Sequence, residues 1–120
     1  MCPVRNVTYV SGRSATLTRQ WQLFLAEHPV LLCPVSGELP FPDQLDVESP
    51  AAFGRVPEAQ LTQLGLPLMG LPGLTVSTGL AGTAPVGVQL VAGRYREDVL
   101  LEAGEIIEAG GTPPSPVDPV

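Results

Sequence analysis

Leu74-Thr75-Val76-Ser77-Thr78 and, further on, Val86-Gly87-Val88-Gln89-Leu90-Val91 decide how the rest of this chain is read. The first alternates apolar and polar residues, and the second is rich in valine and leucine, so both predict strands. Gly79 to Pro85 lies between them and carries the glycine and proline of a turn, which makes an antiparallel pair the simplest arrangement. Upstream, Val30-Leu31-Leu32-Cys33 is a short unbroken apolar run bounded by Pro29 and Pro34, as expected of a strand buried on both faces.

Helical periods flank these strands. Leu17, Trp21, Phe24 and Leu25 fall on one face between Ser14 and His28, and Pro29 ends that helix, whose start lies at Ser14 or at Ser11 and before. Arg96-Glu97-Asp98 opens another, with Val99, Leu100, Ala103, Ile106 and Ile107 on one face and Gly110-Gly111 as its stop. Gly104 inside it costs about 1 kcal/mol relative to alanine, a cost that a close packing contact would offset. Residues 34–57 hold several prolines and no sustained period, and are expected to form a long surface loop. Pro57 then suits the first turn of a short helix through Leu64, with Gly65 at its end. The whole is expected to be one α/β domain over 1–120: a small mixed sheet, with strand 30–33 beside the pair 74–78 and 86–91, packed by helices. Residues 112–120 form a proline-rich tail, and no internal repeat is visible.

Composition narrows the function. Of 120 residues, 44% are hydrophobic and only 15% charged, against roughly 25% in an ordinary soluble domain. Either the core is unusually generous, or part of the apolar surface is expected to be covered by another chain or by further sequence. The net charge of -6 repels phosphate backbones and anionic lipids, so neither nucleic acid nor membrane is an expected partner. No apolar run approaches the roughly 20 residues of a spanning helix, and no secretory leader is evident, so the expected location is the cytoplasm. Cys2 and Cys33 are expected to be reduced, Cys33 buried and Cys2 at a frayed start; two cysteines and one histidine do not complete a zinc site.

Candidate chemistry is sparse, and all six basic residues other than His28 are arginine. A Cys33/His28 dyad lacks a third group to orient the imidazole, and the cysteine ends a buried run. Ser36-Gly37 and Ser77 to Gly79 lie where α/β proteins often place active-site groups, but plain turns account for them. Neither Gly70 to Gly73 nor Gly79 to Gly82 has the spacing of a dinucleotide loop, and a phosphate loop of the lysine-containing type is impossible. Glu38, Asp43, Asp46 and Glu48 lack the repeated spacing of a calcium loop and suit solvated charges. Trp21 and Phe24 could line a pocket, although core packing explains them more simply. No catalytic, cofactor-binding or metal-binding residue is assigned.

The runs Arg19-Gln20-Trp21-Gln22-Leu23-Phe24-Leu25, Val30-Leu31-Leu32-Cys33-Pro34, Gly70-Leu71-Pro72-Gly73-Leu74-Thr75-Val76 and Pro85-Val86-Gly87-Val88-Gln89-Leu90-Val91, followed by Arg96-Glu97-Asp98, together resemble the carboxy-terminal part of the amidase signature family. The resemblance covers roughly residues 11–109. Pro67, where family members often have asparagine, and Ser77, where many have proline, depart from it. It implies the end piece of a large α/β/α sandwich with a mixed sheet, in a family whose Ser, cis-Ser and Lys triad attacks amide carbonyls. The resemblance places that lysine and both serines in the upstream part of such enzymes, so none of the triad has a match here, and this chain has no lysine at all. The expectation is therefore a truncated amidase-like domain, inactive alone, that associates with itself through an exposed strand edge and apolar face. The alternatives are one piece of a split amide hydrolase completed by an N-terminal amidase chain, and a ligand- or partner-binding module using the 34–57 loop.

Overall fold

The computed structural model describes residues 4–111, with side-chain surroundings from residue 12 onward; Cys2 and the 112–120 tail lie outside the described residues. Three strands, β1 (Val30–Pro34), β2 (Gly73–Ala81) and β3 (Ala84–Ala92), form one sheet in the order β1-β3-β2. The helices are α1 (Val4–Glu27), α2 (Leu45–Glu48), α3 (Pro50–Ala59), α4 (Leu61–Met69) and α5 (Glu97–Gly110). The fold is α/β, as expected, but its described sheet is antiparallel throughout rather than mixed, since β1 also runs antiparallel to β3.

The β2/β3 hairpin is the expected pair, extended at both ends. Ala81 faces Ala84, so Gly82-Thr83 makes the turn, and Gly79 belongs to β2 at a bulge beside Ser77. Strand β1 occupies an edge. Its Leu32 is 57% exposed, which corrects the expectation of burial on both faces: α5 covers that face mainly over β2 and β3 and reaches β1 only at its margin, where Val30 packs.

Strand alternation divides the core in two. On one face Val76, Leu90 and Ala92 pack against Leu100 of α5, with Leu74, Ala103 and Ile107 at the margins. A Cβ on Gly104 would stand 2.7 Å from Leu74 Cδ2, the close contact expected to justify a mid-helix glycine. Ile106 points away from this face and is exposed. On the other face Val91 packs with Leu25 of α1, Met69 of α4 and Leu71, and Trp21 and Leu66 close around them.

The 34–57 region is not one loop. Ser49 accepts a hydrogen bond from Ala52 N–H at 3.1 Å, and Pro50 follows as the first helical residue, so the proline-first start falls at Pro50 rather than Pro57. Pro57 instead sits inside α3, and Gly65 sits inside α4. Helix α4 ends at Gly70, whose φ of 62° lets Leu71 N–H reach the Leu66 carbonyl at 3.1 Å and Gly70 N–H reach that of Pro67 at 3.2 Å. The Met69 carbonyl accepts from Arg94 Nε at 3.2 Å and Nη2 at 2.9 Å, while Arg94 N–H donates to Gln22 Oε1 at 3.3 Å. One arginine thereby joins the ends of α4 and β3 to α1.

The radius of gyration is 17.4 Å, against about 14 Å for a compact domain of this length. Leu61, Leu64 and Leu68 form an exposed stripe on α4, opposite the residues that enter the core. No described helix is long and apolar enough to cross a membrane.

Candidate functional site

Past the end of the Val91 cluster, the same sheet face opens into a cleft of about 790 Å³. Thr75 and Ser77 of β2 and residues 85–87 of β3 form its floor, residues 34–41 form one wall, and Gln60 and Gln63 close the end toward α4. The register explains the polar floor. Cys33, Gln89 and Thr75 stand in one cross-strand row on this face, and Gly87 and Ser77 make the next pair. Gln89 is buried and donates from Nε2 to the Thr62 carbonyl at 3.4 Å.

The 34–41 wall is tied to α3 and α4. Gly37 N–H donates to the Ala59 carbonyl at 2.7 Å, Thr62 Oγ1 donates to the Pro34 carbonyl at 3.2 Å, and Gln63 Nε2 donates to that of Val35. Glu38 accepts from Arg55 Nε at 3.0 and 2.9 Å and also from Arg55 Nη2, and the guanidinium carbon lies 5.8 Å from the centroid of the Phe41 ring. The hydrogen bonds from Arg55 hold the Glu38 carboxyl below its ordinary range against an opposing desolvation, and the arginine's charge adds a lesser pull in the same direction. Glu38 is the one ionisable side chain among the residues lining the cleft. With that charge matched by Arg55, the cleft offers hydroxyls, amides and apolar surface, which suit an uncharged ligand.

The residues weighed from the sequence are distributed unevenly. Ser36 and Ser77 come together at this cleft, although Ser77 is in a strand and not in a turn. Ser36 Oγ accepts from Glu38 N–H at 3.2 Å, a local turn contact. Cys33 is half-buried rather than buried, and desolvation pushes its thiol upward, away from a reactive thiolate. His28 is exposed, its ring 4.7 Å from that of Phe24. Asp43, Asp46 and Glu48 are exposed at α2, and no group of three potential metal ligands occurs among the described residues. Trp21 and Phe24 meet edge to face at 5.9 Å and, with Gln20, line a shallow second hollow. Trp21 packs on the core as expected, but Phe24 is exposed. Thr75, Gln60, Gln63 and the Glu38/Arg55 pair carry no signal in the sequence, because no local spacing links positions that only the sheet register and α3–α4 packing bring together.

Fold and cleft define an α/β domain with helices on both faces of its sheet and an open cleft at one end, mostly apolar with a few hydroxyls and amides. No protein-family model matches the chain. It is similar to indoleacetamide hydrolase of Bradyrhizobium japonicum, with 40% identity over 94 residues, covering 75% of this chain and 20% of that protein. It is also similar to the glutamyl-tRNA(Gln) amidotransferase A-subunit of Streptococcus thermophilus, 30% identical over 101 residues, covering 82% of this chain and 20% of the relative. The crystal structure of the corresponding Thermotoga maritima protein superposes with a TM-score of 0.71 at 20% identity, over 82% of this chain and 21% of that one, and so shares the fold. Over most of its length, then, this chain is related to a carboxy-terminal portion of amidase signature proteins. It spans about a fifth of the length of the curated relatives it matches.

Proposed function

We propose that this chain is an amidase-like domain that does not hydrolyse amides by itself. The observation that carries this is the lack of any lysine in 120 residues. A serine hydroxyl becomes a nucleophile at neutral pH only with a base in reach. The cleft serines Ser36 and Ser77 have beside them one carboxylate, Glu38, and its tie to Arg55 makes it a poor base. The test is ammonia release by the homogeneous chain from indole-3-acetamide, glutamine and simple aliphatic amides. No release above buffer is expected, and turnover that scales with chain concentration would overturn the proposal. If activity arises only when a second polypeptide supplies serines and lysine, the chain is instead one part of a split amide hydrolase.

The cleft favours a second reading, a ligand-binding module for an uncharged, partly apolar molecule. Indole-3-acetamide is a suitable first probe, because the name of one relative contains it. Slower amide exchange across 35–41 on adding it would support this reading, and unchanged exchange at saturating probe would count against it.

Self-association in the cytoplasm completes the proposal. Strand β2 is a sheet edge of nine residues without proline or charge, whereas natural edges usually carry such guards. The α4 leucine stripe adds exposed apolar area. Light scattering should give a multiple of 12.6 kDa, and a monodisperse species of 12.6 kDa would refute it.

A further inference from the structure

We propose that residues 35–44 form a strap along the rim of the cleft and that Arg55 is its clasp, so that the cleft opens by local release of this segment while the sheet beneath stays folded. This stands whether or not the ligand is an amide.

The attachments divide the strap in two. Its first part is fixed by backbone and amide hydrogen bonds: the Pro34 and Val35 carbonyls accept from Thr62 and Gln63, and Gly37 N–H donates to Ala59. Beyond Gly37, the described polar ties to α3 come from one side chain. Arg55 grips Glu38 along one edge of its guanidinium and lies near the Phe41 ring, so a single residue of α3 holds two strap residues that both line the cleft. Two-point carboxylate contacts by arginine are directional, and the aromatic ring adds attraction for the cation.

The backbone suits movement as a unit. Pro40 and Pro42 stiffen the stretch between Leu39 and Asp43 by fixing their own φ angles. Its ends are adaptable: Ser36-Gly37 lies on one side, and Gln44 on the other already takes a φ of 59°. Leu39 is exposed, so its burial does not anchor the strap. Gly37 N–H, bonded across to Ala59, reports on release of the segment, and Leu90 N–H on the buried central strand reports on unfolding of the domain.

Native-state amide exchange on the full chain tests this. Arg55→Ala and Glu38→Gln should each speed exchange at Gly37 by about fivefold while leaving Leu90 unchanged, and Arg55→Lys should fall between them and wild type. The double variant should be no faster than the faster single one, because both remove one interaction. Unchanged exchange at Gly37 in Arg55→Ala would overturn the proposal. So would additive effects in the double variant, or an equal acceleration at Leu90, since Arg55 would then hold the domain rather than the strap.

Discussion

Gly104 of α5 and Leu74 of β2 approach so closely that a β-carbon on the glycine would stand 2.7 Å from Leu74 Cδ2. Helix and sheet meet at that contact, and Val76 Cγ2 lies 3.5 Å from the same point. Alanine there gains about 1 kcal/mol of helix propensity but meets an overpacking cost of roughly 1–3 kcal/mol. Gly104→Ala should therefore lower stability by about 1 kcal/mol in urea denaturation. Adding Leu74→Ala should make the Gly104→Ala effect favourable, since the obstructing methyl is gone. A Gly104→Ala variant more stable than wild type would show that the side chain yields freely.

Leu90 is 1% exposed on the central strand, whereas Leu64 is 53% exposed on α4. Leu90→Ala should cost about 2–5 kcal/mol from lost burial and the cavity left behind. Leu64→Ala should stay within about 0.5 kcal/mol in a monomeric sample. If the α4 stripe is buried against a second copy, Leu64→Ala should shift the dissociation constant while leaving the denaturation midpoint of the dilute chain in place.

Tyr95 adopts a φ of 62° in the turn between β3 and α5, with its side chain 88% exposed. A left-handed backbone costs an ordinary residue roughly 1 kcal/mol, and this ring recovers little by packing. Tyr95→Gly should raise stability by about 0.5–1 kcal/mol, with Tyr95→Asn giving a smaller gain. The thermal midpoint checks it, and a lowered midpoint for both variants would mean that the ring makes a contact worth more than the strain.

Hydrogen bonds from Arg55, and then its charge, hold the Glu38 carboxyl below its ordinary range. The folded value lies under the unfolded one, so the stabilisation this pair lends is fully present above the unfolded carboxyl value, near pH 4.3 by reference. It is lost as pH falls through the depressed folded value. The Glu38 side-chain carboxyl signal should titrate below the ordinary glutamate range, and Arg55→Gln should bring it back into that range. A Glu38 midpoint unmoved by that substitution would remove the electrostatic part of the clasp.

Much of this architecture is legible in the residues alone. Alternation and β-branched content mark the hairpin, a helical period marks α5 and most of α1, and Gly104 announces a close contact without naming its partner. The runs from Arg19 to Asp98 also point to the amidase signature relationship, which the similarity to indoleacetamide hydrolase bears out. The lack of lysine is likewise a property of the chain itself. The 34–57 segment defeats such reading for a local reason. Pro57 has the look of a helix start and lies inside one, while the cap at Ser49 and the tertiary support around α3 outweigh the breaker. Edge placement of β1 does not follow from Val30-Leu31-Leu32-Cys33, whose apolar run is the same whether one neighbour strand is present or two.

What the sequence determined by itself is therefore the three strands, α5 and most of α1, the missing lysine and the kinship, all of which depend on composition and near neighbours. Only the tertiary structure decided the cleft: Ser36, Glu38, Thr75 and Ser77 share a surface because strand register and the packing of α3 and α4 bring them together. Contacts between residues far apart in the chain depend on the packing of the whole fold, and no short window of residues encodes it.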